Sequence, residues 1–207
     1  MKIKVCGIRR LSQVYELKEM GVHYAGFIFY ERSPRFAGEV LDAGEIKAIT
    51  GIEKTGVFVD AAKEEIRKIV DSYGLTLVQL HGDESVEECL AVKAFAPVIK
   101  AFRIGEDTNI NELVRPYIGA CDLFLFDTAG PLHGGNGKQF NWQLLDDYRE
   151  GPPFLLSGGI APEMKEAVRA YHHPLCMGID INSRFETEPG VKNINLIKDF
   201  VWDLNII

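Results

Sequence analysis

The sequence contains no long hydrophobic run. Of its 207 residues, 46% are hydrophobic and 26% are charged, and no apolar stretch approaches the ~20 residues that a membrane-spanning helix requires. The N-terminus enters a strand-like pattern directly, without the apolar segment and small-residue cleavage site of a secretion signal. We therefore expect a soluble globular protein of ordinary composition that acts in the cytoplasm, with no membrane partner.

Paired cysteines are also lacking. The four cysteines are far apart in the chain and show no C-x-x-C spacing: Cys6, Cys89, Cys121 and Cys176. This spacing argues against a zinc ribbon and favours reduced thiols in a cytosol. Histidine, aspartate and glutamate do not cluster at metal-ligand spacing either, so we expect no metal site and no metal catalysis.

The sequence has fewer basic than acidic residues. Lysine and arginine number 23 against 30 acidic residues, which gives a net charge of −7. A non-specific nucleic-acid surface is therefore not expected. Any anionic ligand has to be held by local cations or backbone amides, against the overall field.

The chain does contain a repeated pattern in which short apolar segments alternate with amphipathic ones. Strands are predicted over residues 2–6, 24–29, 55–59, 75–80, 98–102, 123–126, 154–156 and 175–181. Helices are predicted over 12–20, 40–49, 63–73, 84–95, 109–117, 142–148, 162–171 and 193–204. This alternation is typical of the α/β class with a parallel sheet, either an open doubly wound sheet or a closed barrel.

Polar or glycine-rich residues follow almost every predicted strand. Such endings favour a barrel, whose functional face collects the loops after all eight strands, over an open sheet with one switch point. The length leaves no room for a second domain. We therefore predict a single (β/α)8 TIM barrel that spans residues 1–207.

Two consecutive strand ends carry the signature of a phosphate site. Residues 157–162 read Ser-Gly-Gly-Ile-Ala-Pro, and residues 178–183 read Gly-Ile-Asp-Ile-Asn-Ser, followed by a segment that could form a short extra helix. Backbone N–H groups at such positions bind phosphate without a lysine, and in these barrels the usual phosphate site follows strands seven and eight. Tight turns alone would also explain the glycines.

Cys6 ends the first predicted strand and Asp127 follows the sixth, so a closed barrel would bring both to its mouth. A thiolate can act as a base, and a carboxyl group kept protonated by partial burial can act as an acid. Residue spacing alone leaves two interpretations of Cys6 open, a catalytic thiol and a small buried hydrophobic residue.

Several motifs, in order along the chain, resemble the phosphoribosylanthranilate isomerase family of tryptophan biosynthesis. They are KVCGI (4–8), FIFY with SPR (27–30 and 33–35), VQLHG (78–82), FDT with GGNGK (126–128 and 134–138), SGG (157–159) and GID (178–180). The resemblance covers essentially the whole chain and implies a single barrel. It also implies an Amadori rearrangement of a phosphorylated aldose amine, the third pathway-specific step from chorismate, with no metal or organic cofactor.

The resemblance assigns roles to individual residues. Asp127 matches the general acid that opens the furanose ring, and Cys6 matches the base that removes the C2′ proton. Arg35 matches the group that holds the anthranilate carboxylate, although a solvated loop cation is the alternative. The implied phosphate cradle consists of Gly158, Gly159, Asn182 and Ser183, and residues 134–138 resemble a mobile loop that closes over the site.

Three further expectations concern polar residues on the inner face. After strand eight the family usually has Ser-Ser-Gly-Val-Glu, whereas residues 182–186 here read Asn-Ser-Arg-Phe-Glu. Arg184 thus stands where the family has glycine, which puts the geometry of that loop in question. Lys4 shares the inner face with Cys6, and we predict that it contacts Asp180 on the neighbouring eighth strand. His81 is either a substrate contact or a hydrogen-bonded core histidine.

Two other functions stay open at this stage. The histidine-pathway sugar isomerases are similar phosphate-binding barrels, but that chemistry resembles a pair of aspartates, whereas strand one ends here in Cys6. A barrel that binds a phosphorylated ligand without turnover is the other alternative. In either case the expected partner is a small phosphorylated molecule, and the chain is expected to be a monomer or a homodimer.

Overall fold

Eight parallel strands close into one barrel in the computed structural model, which describes residues 1–128 and 141–204. The strands follow each other around the barrel in chain order, and the first pairs with the last. They are β1 (Lys2–Val5), β2 (Tyr24–Ile28), β3 (Glu53–Phe58), β4 (Leu77–Leu80), β5 (Val98–Ile104), β6 (Leu123–Thr128), β7 (Phe154–Leu156) and β8 (Cys176–Ile181). The closed arrangement confirms the predicted (β/α)8 barrel and rules out the open sheet.

The described helices lie outside the barrel, between the strands. They are α1 (Leu11–Glu19), α2 (Ala43–Ala48), α3 (Lys63–Tyr73), α4 (Val86–Lys93), α5 (Ile110–Val114), α6 (Lys165–Ala170) and α7 (Ile194–Asp203). Within residues 1–128 and 141–204, none of them has the length and apolar character needed to cross a bilayer.

The connections after β5, β6 and β7 are less helical than the sequence predicted. The predicted helix at 142–148 is a single 3-10 turn over Trp142–Leu145. The predicted helix at 162–171 begins with a 3-10 turn, Pro162–Met164, before α6, and a similar turn, Arg115–Tyr117, follows α5. Prolines explain part of this shortening, because a proline has no backbone N–H to continue the hydrogen-bond ladder.

A small antiparallel hairpin follows β8, and the sequence analysis did not predict it. A 3-10 turn, Ser183–Phe185, leads into β9 (Glu186–Glu188) and β10 (Val191–Lys192). The turn takes the place of the short extra helix that we expected there. This hairpin brings two charged side chains to the mouth of the barrel, as described below.

Alternation along the strands separates the outer core from the barrel interior. On β6, Phe124 and Phe126 belong to the large core that packs against the helices, whereas Leu123 and Leu125 belong to a second, interior cluster. The next residue on the interior side is Asp127, because successive side chains of a strand point to opposite faces. The same face of β6 therefore supplies apolar side chains to the barrel interior and, two residues further on, a carboxyl group at the mouth.

The seam between β1 and β8 contains the predicted buried ion pair. Lys4 is in register with Asp180, and its Nζ donates to Oδ1 of Asp180 over 2.8 Å. Lys4 is fully buried and Asp180 nearly so. Ser157 Oγ lies 3.3 Å from the second oxygen of Asp180 and completes its hydrogen bonding. The predicted contact is confirmed.

Candidate active site

One cleft opens at the carboxyl ends of the barrel strands, where the sequence placed the functional residues. Its lining includes every residue predicted for the site: Cys6, Arg35, His81, Asp127, Gly158, Gly159, Asn182 and Ser183. The fold thus brings together side chains from six different strand ends, as expected for the functional face of such a barrel.

Cys6 lies just beyond β1 and its thiol is almost completely buried. Its backbone N–H donates to the carbonyl of Ile181 over 2.9 Å, which extends the pairing of β1 with β8. Burial raises the pKa of the Cys6 thiol above its ordinary value, and the charge of Asp180 acts in the same direction. The ammonium groups of Lys4 and Lys192 oppose this shift without cancelling it.

Asp127 projects into the cleft from the end of β6. Its Oδ1 accepts a hydrogen bond of 2.8 Å from the backbone N–H of Thr128, which fixes the orientation of the carboxyl group. Its Oδ2 lies 3.4 Å from Nε2 of His81. Only 11% of each of these two side chains is exposed, so the cleft shields the carboxyl group from bulk water.

His81 follows β4 and is held by a neighbour on the same strand. Its Nδ1 lies 2.7 Å from Nε2 of the buried Gln79. Its Nε2 faces Asp127 at ion-pair distance but makes no aligned hydrogen bond with any described residue. His81 is therefore a half-buried histidine with one ring nitrogen close to Gln79 and the other directed at the candidate acid.

The guanidinium of Arg35 is hydrogen-bonded along one edge by the carboxylate of Glu186, on β9. Its Nε lies 3.0 Å from both oxygens of Glu186, and its Nη2 donates to Oε2 of Glu186 over 2.8 Å. The Arg35 side chain is 15% exposed, so it is not a solvated loop cation. The Ser33 hydroxyl accepts from the Arg35 backbone N–H over 3.1 Å and shapes the loop after β2.

Lys192 links the same carboxylate to the loop after β8. Its Nζ donates to Glu186 Oε1 over 2.7 Å and to Asn182 Oδ1 over 2.8 Å. Burial opposes the ionisation of Glu186, but its bonds with Arg35 and the charge of Lys192 outweigh that effect and lower the pKa of Glu186. Burial also lowers the pKa of Lys192, and the attraction of Glu186 compensates only in part.

Two glycine residues after β7, Gly158 and Gly159, also line the cleft. Gly158 and Gly159 have φ values of +86° and +72°, which favour glycine. Their backbone N–H groups donate to no acceptor in residues 1–128 and 141–204. Two adjacent unpaired N–H groups form a site suited to an anion.

The loop after β8 tolerates Arg184 without strain. Among the described residues, the only non-glycine position with positive φ is Asp60, so Arg184 does not occupy a conformation reserved for glycine. Its side chain is exposed, and the segment forms the 3-10 turn Ser183–Phe185. The expected loop at 134–138 lies outside the described residues.

Sequence analysis did not assign a role to Glu186 or Lys192. Glu186 is 151 positions away from Arg35 in the chain, and no local pattern connects the two. The alignment of residues 182–186 with the family's Ser-Ser-Gly-Val-Glu pattern was a usable signal, because it places a glutamate at position 186.

Comparison with known proteins agrees with this geometry. The family model for N-(5'-phosphoribosyl)anthranilate isomerase matches residues 3–203. The isomerase of Parabacteroides distasonis is 43% identical, with 99% of this chain and 93% of the relative covered. That of Phocaeicola vulgatus is 38% identical, with 99% and 98% covered.

Solved structures give the same result at lower identity. The phosphoribosylanthranilate isomerase of Thermus thermophilus superposes with a TM-score of 0.86 at 29% identity and covers 99% of this chain and 98% of its own. Another, crystallised with reduced 1-(o-carboxyphenylamino)-1-deoxyribulose 5-phosphate, has a TM-score of 0.83 at 27% identity, with full coverage of both chains. The chain belongs to the N-(5'-phosphoribosyl)anthranilate isomerase family.

Proposed function

We propose that Cys6 and Asp127 carry out the acid–base chemistry by which this isomerase converts N-(5'-phosphoribosyl)anthranilate into 1-(2-carboxyphenylamino)-1-deoxyribulose 5-phosphate. The observation that carries the proposal is their placement: a thiol from the end of β1 and a carboxyl group from the end of β6 line one cleft. The family match favours this tryptophan-pathway reaction over the histidine-pathway alternative and over a ligand binder without turnover.

The reaction requires a general acid that protonates the substrate and a general base that removes a proton from it. Asp127 donates a proton to the furanose ring oxygen, the bond from that oxygen to C1′ breaks, and the nitrogen lone pair forms an iminium. Cys6 then removes the proton from C2′, and the freed electron pair forms the C1′–C2′ double bond of an enolamine, which tautomerises to the ketose. Each acid–base role contributes typically about 10² to 10⁴ in rate.

The electrostatics of the cleft suit this order of steps. Burial keeps Cys6 largely protonated in the free protein, since its pKa lies above the ordinary value. A cationic iminium beside the thiol adds to the pull of Lys4 and Lys192 and favours the thiolate when the base is needed. Ring opening thus prepares the thiol for the proton transfer that follows.

The remaining residues hold the two ends of the substrate. Arg35 binds the anthranilate carboxylate, because a guanidinium fork matches a carboxylate in geometry and charge. The phosphate lies against the unpaired N–H groups of Gly158 and Gly159, with Asn182 and Ser183 on the adjoining loop. His81, directed at Asp127, contacts the sugar between these two ends.

We also propose a location and an assembly state. The four cysteines are all unpaired, which fits a reducing cytoplasm, and the partner we propose is the small phosphorylated substrate rather than a nucleic acid or a membrane. We propose a monomer or a homodimer. One structural relative, from Thermotoga maritima, was studied as monomers made from a dimeric phosphoribosylanthranilate isomerase.

Loss of substrate fluorescence in a purified sample tests the catalytic roles. Cys6→Ser and Asp127→Asn are expected to lose at least about 10²-fold in kcat while keeping the circular dichroism spectrum of the folded chain. Cys176→Ser is the matched control, because this partly buried thiol hydrogen-bonds the Gly178 carbonyl and does not line the cleft. Wild-type activity in either site variant would reject the role of that residue.

A further inference from the structure

We infer that Glu186 is a positioning residue: it turns the guanidinium of Arg35 toward the substrate and thereby sets the preference for a carboxylated aromatic amine. The inference rests on the proposed role of Arg35 as the carboxylate-binding group. It adds a determinant of specificity that lies on the hairpin β9–β10, outside the strand-end motifs.

The first support is the edge of the guanidinium that Glu186 occupies. The carboxylate binds Nε and one N–H of Nη2, with distances of 2.8 to 3.0 Å. The two N–H groups of Nη1 have no acceptor among residues 1–128 and 141–204, and the second N–H of Nη2 lies beside them. A guanidinium has five N–H donors, so this arrangement leaves one complete fork for a second carboxylate.

The second support is the charge of the cluster. Arg35 and Lys192 are cations that share the single carboxylate of Glu186, and the exposed fractions of the three side chains are 15%, 0% and 4%. The three side chains therefore carry a net charge of +1 in a largely buried site. A ligand carboxylate at Arg35 would neutralise it, whereas an uncharged ring would leave it uncompensated.

The third support is the way in which Glu186 itself is held. Its Oε1 accepts from Lys192 Nζ over 2.7 Å and from the backbone N–H of Gly190 over 3.1 Å. Lys192 also donates to Asn182, on the loop proposed to bind phosphate. The carboxylate-binding end and the phosphate-binding end of the cleft are thus connected through one rigid network.

A substrate ratio measures this role directly. The two probes are N-(5'-phosphoribosyl)anthranilate and the corresponding aniline derivative, which lacks only the carboxylate. The readout is the ratio of kcat/KM for the first to kcat/KM for the second, in each protein. A variant that merely unfolds part of the sample lowers both values equally, so the ratio does not respond to a purely structural defect.

Glu186→Gln removes the charge and the bidentate acceptor with little change in volume. Because charge-assisted hydrogen bonds are roughly twice as strong as neutral ones, we expect the ratio to fall by about tenfold or more. Glu188→Gln is the matched control: it removes a carboxylate from the same hairpin, but that group is 65% exposed and its ion-pair partner among the described residues is the exposed Arg10, at 3.4 Å. The control should keep the wild-type ratio.

Arg35→Met separates this inference from the function on which it rests. Arg35→Met should lower the ratio, and Glu186→Gln should then cause no further fall in that background. A wild-type ratio in Glu186→Gln beside a reduced ratio in Arg35→Met would overturn the role of Glu186 and leave that of Arg35 intact. An unchanged ratio in Arg35→Met would overturn both.

Two other outcomes are informative. A ratio that rises in Glu186→Gln would mean that Glu186 masks the charge of Arg35 rather than orienting it, and would overturn the inference. If Glu186→Gln does not fold, Glu186→Asp, which keeps the charge but withdraws the carboxylate, takes its place. A fall in its ratio would support the inference, and a wild-type ratio would overturn it.

Discussion

Cys6 illustrates how a single residue is adjusted by the charges that surround it. Its burial and the carboxylate of Asp180 disfavour the thiolate, whereas Lys4 and Lys192 favour it. Burial dominates, so the pKa lies above the ordinary value. The free protein therefore holds the proposed base in the protonated form, and added positive charge nearby would favour loss of that proton.

This balance predicts how activity depends on pH. The fraction of Cys6 present as thiolate grows as pH rises toward its elevated pKa, so the limb of the kcat/KM profile that reports the proposed base should keep rising past neutral pH. Lys192→Met should move the rise to higher pH, because Lys192 lowers the pKa of this thiol. The measurement is a pH series of initial rates with the fluorescent substrate.

The control for the pH series is Lys198→Met, which removes a lysine that lies over the ring of Trp202 on α7. Its pH profile should coincide with that of the wild type. A wild-type profile that is flat above neutral pH would contradict an elevated pKa of the proposed base, Cys6.

At the scale of the elements, the sequence pattern predicted the bounds of those strands and helices that a local hydrophobic pattern defines. The strand β7 (Phe154–Leu156) and the helix α3 (Lys63–Tyr73) have the predicted bounds, because apolar runs and a 3.6-residue stripe define them. The hairpin β9–β10 was missed, since strands of three and two residues are too short to show a period. Its residue Glu186 binds Arg35, which is 151 positions away, and no local pattern in a single sequence predicts such a contact.

Gly158, which is proposed to bind phosphate, also packs closely against the end of β6 that carries Asp127. A Cβ added there would lie 2.5 Å from the backbone nitrogen of Thr128 and 3.1 Å from Oδ1 of Asp127, on top of the strain at its φ of +86°. Gly158→Ala should therefore displace the end of β6 together with the proposed acid and lower kcat/KM by about 10-fold or more. Initial rates and circular dichroism measure the loss and the integrity of the fold.

Gly119→Ala is the matched control for backbone strain. Gly119 has a φ of +91°, but a Cβ there would have no atom within 4 Å. This variant should lose about 1–2 kcal/mol of unfolding free energy and keep wild-type activity. Equal activity losses in the two variants would show that strain, and not the clash with β6, is responsible.

At the scale of the whole molecule, the site depends on the closure of the barrel. Lys4 on β1 and Asp180 on β8 meet only because the first and last strands pair, although 176 positions separate them. The closed topology could be predicted from the repeated pattern, and the ion pair followed from alternation on the two strands that closure makes neighbours. The same two charges, on Lys4 and Asp180, also shift the pKa of the Cys6 thiol.

Lys4→Met tests this connection, because it leaves the carboxylate of Asp180 buried with Ser157 as its remaining side-chain partner. Removing one member of a buried pair costs about 3–5 kcal/mol, so urea unfolding should show a loss of that size. Lys4→Met/Asp180→Asn should recover most of it, since no unpaired charge remains. Lys63→Met should change stability by less than about 0.5 kcal/mol, since its partner Glu64 is 3.8 Å away and both side chains are exposed.

The same variant also reports on the base. Lys4 lowers the pKa of Cys6, so its removal should raise that pKa further and move the rise of kcat/KM to higher pH. Adding Asp180→Asn to Lys4→Met should shift the rise of kcat/KM partly back to lower pH, because the charge of Asp180 raises the pKa of the thiol. If Lys4→Met unfolds at wild-type urea concentrations and keeps the wild-type pH profile, the pair neither secures the barrel seam nor adjusts the thiol, and the charge balance beneath Cys6 must come from other groups.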